Sequence, residues 1–475
     1  MRSPARHLIG GHWIGSGDER PVIDPADGTE VGSVAIGTAI EAEEAVAAAA
    51  AAAEDWAHLP ARSRGRLLSA AADLIDTRAD ELGLLLAREA GKRLPEAVGE
   101  IHFSAEYFRW FAEEARRSDG AIHPPEAVGR RHLSVRVPAG VVASLTPWNF
   151  PCSIQARKLA PALAAGCTVV ARVSEKAPLA ATQLIRCLAD AGLPRGVINL
   201  VHGPASIITD AYLDHAAIRV VSFTGSTAVG SQIMRQAAGR IIRPLLELGG
   251  NAPFLVFEDA DVELAVEGAM LAKFRNTGQS CIAANRFLVH ESVLSEFSAR
   301  FAAAVDGMTV GPGAVADPPD LGPCIDIDRV RAVNDLVAEA LECGAERLTA
   351  ERELPDTGTF CAPALLTDVP GGCGLATSEI FGPAAGIFTF ADEDEALAIA
   401  NATEMGLAGY VYTRDQARIW RIADRLDVGI IGINDPLPSV AFAPMGGTKQ
   451  SGIGREGSAV GLEEFQETRY LAIGI

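Results

Sequence analysis

The chain lacks the features that would suit it to nucleic acid, to a bound metal or to a membrane. Lys and Arg number 41 against 61 Asp and Glu, a formal net charge of −20 that disfavours polyanionic partners and anionic membrane surfaces. The eight cysteines show no CxxC spacing, so neither zinc nor a disulfide framework is expected. The longest apolar run, residues 159–171, is broken by Pro161 and Gly166 and is too short to span a bilayer. With no signal peptide in residues 1–15, a reduced cytoplasm is the predicted location.

What the chain does have is typical of a packed α/β enzyme. Its 475 residues exceed one ordinary core, so two or three domains are expected. Residues 41–53 and 62–90 have helical patterns. From residue 141 onward, apolar strands alternate with helices, which predicts parallel sheets covered by helices. The predicted strands are 141–145, 167–173, 197–201 and 219–223, the helices are 179–191 and 228–238, and a second alternating unit covers 250–430 beyond a junction at 246–253.

Cys281 is the candidate nucleophile. Seven of the eight cysteines fit the ordinary reading of a small buried apolar residue. Cys281 instead follows the polar segment 276–280, which predicts a flexible approach to the thiol. Nucleophilic use requires a thiolate, with a pKa lowered from about 8.5 by dipoles or cations.

Asn149 and Glu247 supply the other two chemical groups. The carboxamide of Asn149 could hold a negative oxygen formed when a thiol attacks an aldehyde, although Asn after Trp in a loop is also a common turn residue. Glu247 lies among leucines, so partial desolvation should raise its pKa toward that of a useful base. The alternative for Glu247 is an exposed carboxylate at the end of a strand.

A glycine-containing turn at 223–230 follows a predicted strand and opens a predicted helix. Backbone N–H groups at such a helix start can hold a pyrophosphate. The spacing is G-x-x-x-x-G rather than G-x-G-x-x-G, so this segment alone is weak evidence for a dinucleotide.

Taken together, these segments resemble the NAD(P)-dependent aldehyde dehydrogenase superfamily over almost the whole chain. The segments 379–383 (EIFGP) and 449–456 (KQSGIGRE) complete the match. The resemblance implies Cys281 as nucleophile, Asn149 as the amide that holds the oxyanion and Glu247 as general base. It also implies a Rossmann-type cofactor domain, an α/β catalytic domain, a small oligomerisation β-hairpin, and a homodimer or homotetramer.

The same resemblance implies a set of cofactor-binding residues. One departure concerns Arg172, which stands where the family usually has a lysine that binds the adenosine ribose. Its planar fork could contact a 2′-phosphate, whereas Glu175 would repel one and accept from ribose hydroxyls. NAD is therefore expected, with NADP left open. The full set is Thr146, Pro147, Trp148, Arg172, Glu175, Gly203, Phe223, Gly225, Ser226, Gly230, Leu248, Glu379 and Phe381.

Within the family the chain is most similar to succinate-semialdehyde dehydrogenases. Arg157, Arg275 and Ser439 occupy positions that bind the substrate carboxylate in those enzymes, and Phe150 is a further substrate-side residue. The alternative is that Arg157 belongs to a solvated helix face and Arg275 to a structural salt bridge. Glutarate semialdehyde, a bulkier aldehyde acid, or an aliphatic or aromatic aldehyde are the other candidate substrates, because the proline-rich segment 435–438 departs from the semialdehyde pattern.

The expected domains are 1–118 with 138–248 for the cofactor, 249–446 for catalysis, and 119–137 with 447–475 for oligomerisation. Two rival functions remain at this point. One is a CoA-acylating aldehyde dehydrogenase, against which Glu247 weighs, and the other is a non-catalytic dinucleotide-binding protein that keeps the fold.

Overall fold

The computed structural model describes residues 4–475, in which 22 strands and 15 α-helices alternate as the sequence predicts. The strands are β1 His7–Ile9, β2 His12–Ile14, β3 Glu19–Ile23, β4 Glu30–Ala35, β5 Ala121–His123, β6 Arg130–Pro138, β7 Val141–Leu145, β8 Thr168–Arg172, β9 Ile198–Leu200, β10 Ile218–Thr224, β11 Arg243–Glu247, β12 Ala252–Val256, β13 Ala284–His290, β14 Glu346–Arg347, β15 Ala364–Thr367, β16 Ala384–Phe390, β17 Met405–Gly406, β18 Ala408–Tyr412, β19 Ile430–Ile433, β20 Thr448–Lys449, β21 Gly452–Ile453 and β22 Gln466–Gly474. The helices are α1 Ala39–His58, α2 Ala61–Thr77, α3 Ala79–Ala90, α4 Leu94–Glu114, α5 Pro151–Ala165, α6 Leu179–Asp190, α7 Ala205–Asp214, α8 Thr227–Ala238, α9 Val262–Phe274, α10 Glu291–Asp306, α11 Ile327–Glu342, α12 Gly374–Thr377, α13 Glu393–Asn401, α14 Gln416–Arg425 and α15 Ser458–Glu463.

An eight-stranded sheet forms the first half of the molecule, in the order β2-β1-β9-β8-β7-β10-β11-β21. Its five central strands are parallel and nearly all buried, as expected for a sheet with helices on both faces. The strand order reverses between β7 and β10, and ligands of such sheets bind at the carboxyl ends of the strands at that reversal. The segments that follow β7 and β10 therefore mark the expected position of a ligand.

A seven-stranded sheet, in the order β14-β15-β16-β13-β12-β18-β19, forms the second half. All of its pairings are parallel except β14 with β15. The linker between β11 and β12, residues 248–251, carries the chain from the first sheet to the second and agrees with the predicted junction. The α/β class with a Rossmann-type sheet and a second α/β unit is confirmed.

The third sheet is antiparallel and joins β5, β6 and β22. It contains the predicted hairpin at 119–137, with the carboxyl-terminal strand added at its other edge. The predicted oligomerisation segment 447–475 is divided in the structure, because only β22 lies in this sheet. The preceding β21 pairs with β11 instead, since its backbone completes the open edge of the first sheet.

The helical pattern at 62–90 is confirmed, but the structure divides this segment into two elements. The structure has two helices, α2 and α3, separated at Arg78, where no Gly or Pro marks the break. Arg78 leaves the helical backbone with φ −103° and ψ 13° and pairs its guanidinium with Glu81 at 3.0 Å. The start of α1 follows the sequence rules, because Thr38 and Glu41 form a capping box.

Helix length and the clustering of ligating side chains bear on membrane and metal binding. In the part of the chain from residue 4 onward, no helix is long and apolar enough to cross a membrane. Within the same residues, no group of three or more His, Cys, Asp or Glu is arranged to hold a metal ion.

Candidate active site

The first cavity, of about 400 Å³, lies where the strand order of the eight-stranded sheet reverses. It brings together loops that follow β7, β10 and β11 with the segment after α12. Its lining residues are Pro147, Trp148, Asn149, Lys176, Thr224, Gly225, Ser226, Leu248, Gly249, Cys281, Ile325, Asp326, Asp328, Arg329, Glu379 and Phe381. Seven of the residues predicted to bind a cofactor are in this set, so the sequence motifs do converge in space.

The start of α8 gives the first cavity a row of backbone donors. Ser226 caps the helix, with its hydroxyl accepting from the N–H of Val229 at 3.4 Å. Gly225 lies directly against the Phe223 ring, and a side chain at this glycine would collide with that ring. The Thr224 hydroxyl is buried and has no hydrogen-bond partner among residues 4–475. An anionic pyrophosphate therefore fits this helix start. The start of α8 offers the positive end of the helix dipole, room beside Gly225 and the unused hydroxyl of Thr224.

Glu379 approaches the same cavity from the opposite wall. One carboxylate oxygen accepts from the backbone N–H of Gly250 at 3.1 Å, and burial raises the pKa of Glu379 to about 7. Phe381 follows with a positive φ of 53° and meets the Trp148 ring edge-on, at 5.4 Å between ring centroids. These contacts form a narrow slot between the two halves of the molecule, suited to a flat ring and a ribose.

Cys281 lies on a tightly held loop, residues 275–282, called here the Cys281 loop. Asn276 and Thr277 both adopt positive φ, at 53° and 56°. The predicted flexible approach is wrong, because residues 276–280 are buried and their polar groups are bonded internally. Gln279, for example, accepts from the N–H of Ile325 at 2.9 Å through its side-chain oxygen. The loop is polar because it is anchored by hydrogen bonds, and its polarity is not a sign of mobility.

The thiol of Cys281 is not pre-ionised. Burial, followed by the nearby carboxylates of Glu379 and Glu247, raises the pKa of Cys281 to about 12. The sequence-based expectation of a lowered pKa is therefore not met in the protein alone. Attack by Cys281 requires a partner that removes the proton.

Asn149 faces the Cys281 loop. Its side-chain N–H donates to the carbonyl of Gln279 at 3.2 Å, two residues before Cys281. Its own carbonyl accepts from Asn276 and from Lys92, at 3.0 and 2.9 Å. The carboxamide is thus held against the Cys281 loop and lines the same cavity as Cys281, so Asn149 has tertiary contacts that a simple turn residue would not need.

Glu247 ends β11 and is 3% exposed, so it is not a surface carboxylate. Neither carboxylate oxygen has a hydrogen-bond partner within residues 4–475. Burial, followed by the carboxylate of Glu456, raises the pKa of Glu247 well above its usual range. Burying a carboxylate with two unused acceptors costs folding free energy, so such a group is a candidate for a functional role. A proton from water or from a thiol would satisfy it.

The second cavity has a volume of about 350 Å³. Cys281 lines both cavities and therefore lies where they meet. The walls of the second cavity come from α4, α5, the Cys281 loop and residues 437–445. The lining residues are Glu96, Gly99, Glu100, Phe103, Phe150, Ser153, Ile154, Arg157, Arg275, Ser280, Cys281, Ile282, Leu437, Ser439 and Met445. All four residues predicted to contact the substrate are included.

Two guanidinium groups face this cavity. Arg157 is 6% exposed and donates to the Ser439 hydroxyl at 3.2 Å, so the alternative of a solvated helix face is excluded. Arg275 stacks over the Phe150 ring at 5.4 Å, and no carboxylate forms an ion pair with it in residues 4–475. The alternative of a structural salt bridge for Arg275 is therefore excluded too. Two cations with spare donors form a site for an anion.

Arg172 and Glu175 lie away from the first cavity and form an ion pair with each other. Arg20 adds a second contact to Glu175 at 3.6 Å. A third cavity, of about 190 Å³, is lined by Arg20, Glu175, His202 and Gly203 among others. These residues would face the ribose end of a dinucleotide whose pyrophosphate lies at α8.

The remaining predicted cofactor residues are structural neighbours of the first cavity. The Thr146 hydroxyl donates to Gln155 at 2.8 Å, and Gly230 packs against the Leu248 side chain. Their assignment stays a prediction. The sequence reasoning missed five cavity-lining residues, each from a segment without a motif. They are Glu96, Phe103, Lys176, Arg329 and Met445. Only their position in the fold reveals them.

Comparison with known proteins agrees with this geometry. The profile of the aldehyde dehydrogenase family matches residues 13–471. A 3-sulfolactaldehyde dehydrogenase of Pseudomonas putida is 42% identical over 98% of this chain and 96% of that relative. The NADP(+) succinate-semialdehyde dehydrogenase of Escherichia coli (strain K12) is 42% identical over 98% of this chain and 97% of its own. The crystal structure of a succinate-semialdehyde dehydrogenase from Burkholderia pseudomallei superposes with a TM-score of 0.97 at 42% identity, covering 99% and 98% of the two chains.

Proposed function

The chain belongs to the aldehyde dehydrogenase family, and from that premise we propose that it oxidises an aldehyde carrying an anionic group, with succinate semialdehyde as the leading candidate. The observation that carries this proposal is the position of Cys281 between the two cavities. One cavity suits a dinucleotide, and the other presents Arg157, Arg275 and Ser439.

The nucleophilic step begins with the thiol of Cys281. Because its pKa is about 12, the thiol proton must pass to a base as sulfur bonds to the aldehyde carbon. Glu247, with a raised pKa and two unbonded oxygens, can accept that proton. The aldehyde oxygen becomes an alkoxide, held by the Asn149 amide and the backbone N–H of Cys281.

Oxidation of this adduct gives a thioester on Cys281. When bound, NAD(P) would supply the acceptor for the hydride that leaves the former aldehyde carbon. The residues that would hold the dinucleotide are those of the first cavity, with the start of α8 at the pyrophosphate and Glu379 at the ribose. Lining by Trp148 and Phe381 narrows the cavity and limits access of water to the reacting carbon.

Release of the acid requires water. Glu247 first loses the thiol proton to solvent and then accepts a proton from a water molecule, whose oxygen attacks the thioester carbon while the carbon–sulfur bond breaks. The carboxylic acid leaves, and Cys281 regains its proton. A buried base with unbonded oxygens supports hydrolysis and weighs against the CoA-acylating rival, which needs no water-activating carboxylate. NAD is the proposed cofactor, with NADP open, because Arg172 and Glu175 favour opposite choices.

The second cavity supports an anionic substrate. Paired, charge-assisted hydrogen bonds from Arg157 and Arg275, together with Ser439, suit a carboxylate and would also suit a sulfonate. The volume of about 350 Å³ exceeds that of a four-carbon aldehyde, so glutarate semialdehyde and bulkier acids are the alternatives.

The decisive experiment compares succinate semialdehyde with butanal by NAD(P)H formation at 340 nm in wild type, Arg275→Ala and Arg275→Lys. We expect Arg275→Ala to lose roughly 10–100-fold in kcat/KM for the semialdehyde, because charge-assisted bonds are lost, and to change little with butanal. Arg275→Lys keeps the charge and should fall between. Equal use of both aldehydes by wild type would contradict the anionic-substrate proposal while leaving the dehydrogenase chemistry intact.

A homodimer or homotetramer is also proposed. The strand β22 is an edge strand of nine residues, all exposed except Gln466, and the exposed ones include Tyr470 and Ile473. Such an edge pairs readily with a second chain. The proposed domain limits are 1–118 with 138–248, 249–446, and 119–137 with 447–475, and within the last segment it is β22 that joins the three-stranded sheet. Light scattering of the purified chain tests the assembly, and a monomer would contradict it.

A further inference from the structure

A buried ion pair lies behind the two loops that carry Asn149 and Cys281. Lys92 and Glu100 contact each other, and their side chains are 0% and 2% exposed. Burying two charges costs desolvation free energy that their attraction often fails to recover, so stability alone is a weak reason for such a pair. Besides their mutual contact, Lys92 bonds to Asn149, and the other carboxylate oxygen of Glu100 accepts from the start of α5.

Lys92 holds the loop that carries Asn149, the residue proposed to bind the oxyanion. Its ammonium donates to the carbonyl of Asn149 at 2.9 Å, the same carbonyl that accepts from Asn276. The two residues are 57 positions apart in the chain, so this contact is purely tertiary. It fixes the backbone of the residue whose amide faces the nucleophile.

The same ammonium also orders the anion site. It lies 4.0 Å from the centre of the Phe150 ring, and the guanidinium of Arg275 lies 5.4 Å from the same ring. The Phe150 ring is therefore a partner of both cations. Because Arg275 has no carboxylate partner in residues 4–475, its stacking on Phe150 is the contact that orients it.

The Glu100 end of the pair holds the helix that carries Arg157. One oxygen of Glu100 accepts from the N–H groups of Cys152 and Ser153, at 3.0 and 3.1 Å. These are the first donors of α5, and Phe150 at the N-cap position supplies no side-chain cap. Glu100 thus replaces the missing cap and sets where α5 begins.

We propose that Lys92 and Glu100 are positioning residues that set Asn149, Arg275 and Arg157 in one arrangement, matching the oxyanion site to the anion site. This inference rests on the proposed function. Lys92 acts through Asn149 and Phe150, and Glu100 acts through α5. Lys92 lines neither of the two cavities, and Glu100, although it is in the wall of the second cavity, acts here through the helix that it caps.

Glu89 supplies a matched control. It is a buried carboxylate on α3 that accepts from the N–H groups of Leu179 and Ala180, at 2.7 and 2.8 Å, and so caps α6 in the same way. Helix α6 carries none of the proposed site residues. A Glu→Gln change at 89 and at 100 therefore replaces one capping oxygen in each case, at 89 on a helix without site residues and at 100 in the wall of the second cavity.

The test uses the full chain as wild type, Lys92→Met, Lys92→Arg, Glu100→Gln and Glu89→Gln. Three quantities are measured: kcat and KM for succinate semialdehyde at saturating NAD+, the rate of 4-nitrophenyl acetate hydrolysis, and the Tm. Acyl transfer from that ester to Cys281 needs the same oxyanion site but neither the semialdehyde nor a hydride acceptor.

We expect Lys92→Met to lower both kcat and ester hydrolysis roughly 10–100-fold, because misplacing an oxyanion donor has effects of that order. Glu100→Gln should lower both about tenfold. Lys92→Arg keeps the buried cation and should stay within about fivefold of wild type. Glu89→Gln should lower the Tm but leave kcat per folded molecule within about twofold.

If Lys92→Met and Glu100→Gln keep kcat and ester hydrolysis within about twofold of wild type, the inference is overturned and the pair is structural. Should Lys92→Met fail to fold, Glu100→Gln decides by the same limit, since it is isosteric. A wild type that hydrolyses the ester without oxidising the semialdehyde would reject the proposed substrate, and the ester rates would still decide this inference.

Discussion

The two cavities that meet at Cys281 are built in different ways. The first takes short stretches of consecutive residues, such as Pro147 to Asn149 and Thr224 to Ser226, from loops that follow parallel strands. The second takes scattered residues from two helices, the Cys281 loop and the segment 437–445. A bound dinucleotide is recognised largely by backbone groups and helix starts, whereas an anionic substrate is recognised by side chains that meet only in the folded chain.

The charges of the two cavities differ as well. Each cavity has one cation near a carboxylate: Lys176 pairs with Asp326 in the first, and Arg157 lies 3.8 Å from Glu456 in the second. The other cations differ. Arg329 of the first cavity donates to the carbonyl of Ile380 at 3.2 Å, whereas Arg275 of the second stacks on Phe150 and has no ion-pair partner in the part of the chain that the structure describes. Arg275 is therefore the cation that an anionic substrate would complete.

Cys281→Ala removes the thiol at the residue that both cavities share. Of the substitutions considered, it should lower kcat the most. We expect kcat to fall by more than about 10³-fold, because no other group can form the thioester. NAD+ binding, followed through Trp148 fluorescence, should persist. Cys343→Ala is the matched control, since Cys343 is exposed and remote, and it should leave kcat unchanged. Near wild-type turnover by Cys281→Ala would end the covalent mechanism.

Glu247→Gln separates chemistry from stability. The folded-state pKa of Glu247 is raised above its ordinary value of 4.5, so its contribution to stability is present below pH 4.5 and lost as pH rises through the folded pKa. Glu247→Gln removes this loss. We therefore expect the variant to have a higher Tm than wild type at pH 9 and a similar Tm at pH 4.5, by calorimetry across that range. A constant Tm difference at all pH values would show that Glu247 does not titrate abnormally.

Arg172→Lys should affect only the dinucleotide side and have the smallest effect. In the structure Arg172 pairs with Glu175 and donates to the carbonyl of Gly203 at 3.3 Å. A lysine would hold Glu175 less firmly and leave it free to accept from ribose hydroxyls. The ratio of kcat/KM with NAD to that with NADP should rise roughly two- to tenfold, with no change in semialdehyde over butanal. An unchanged ratio would remove Arg172 from cofactor choice.

The same contrast explains what the sequence could predict. The alternation of strands and helices from β7 to α8 follows from apolar periodicity within a few residues, so the α/β fold was accessible from the sequence. The cofactor residues of the first cavity came from the family resemblance, since the glycine spacing at 223–230 alone was weak evidence. The resemblance supplied Arg157, Arg275 and Ser439. The break at Arg78 was not accessible, because no Gly or Pro marks it.

Long-range burial is what the sequence could not supply. The Cys281 loop has a polar composition that indicates a mobile segment. In the structure it is buried, and hydrogen bonds to Asn149 and Ile325 anchor it. The raised pKa of Cys281 depends on carboxylates from distant segments. Lys92 and Glu100 belong to no motif near the site, and only the packing of α4 against α5 gives them a role there.

The central claim is that Cys281 forms a thioester with an acidic aldehyde and that Glu247 activates the water that releases it. Glu247→Gln mixed with NAD+ and succinate semialdehyde, then digested and analysed by mass spectrometry, tests both halves at once. Because Glu247 also accepts the thiol proton, the account predicts a stoichiometric burst of NADH that is slower than the first turnover of wild type, and a succinyl group on the peptide that contains Cys281. A burst without acylation of Cys281, or acylation of another cysteine, would contradict it.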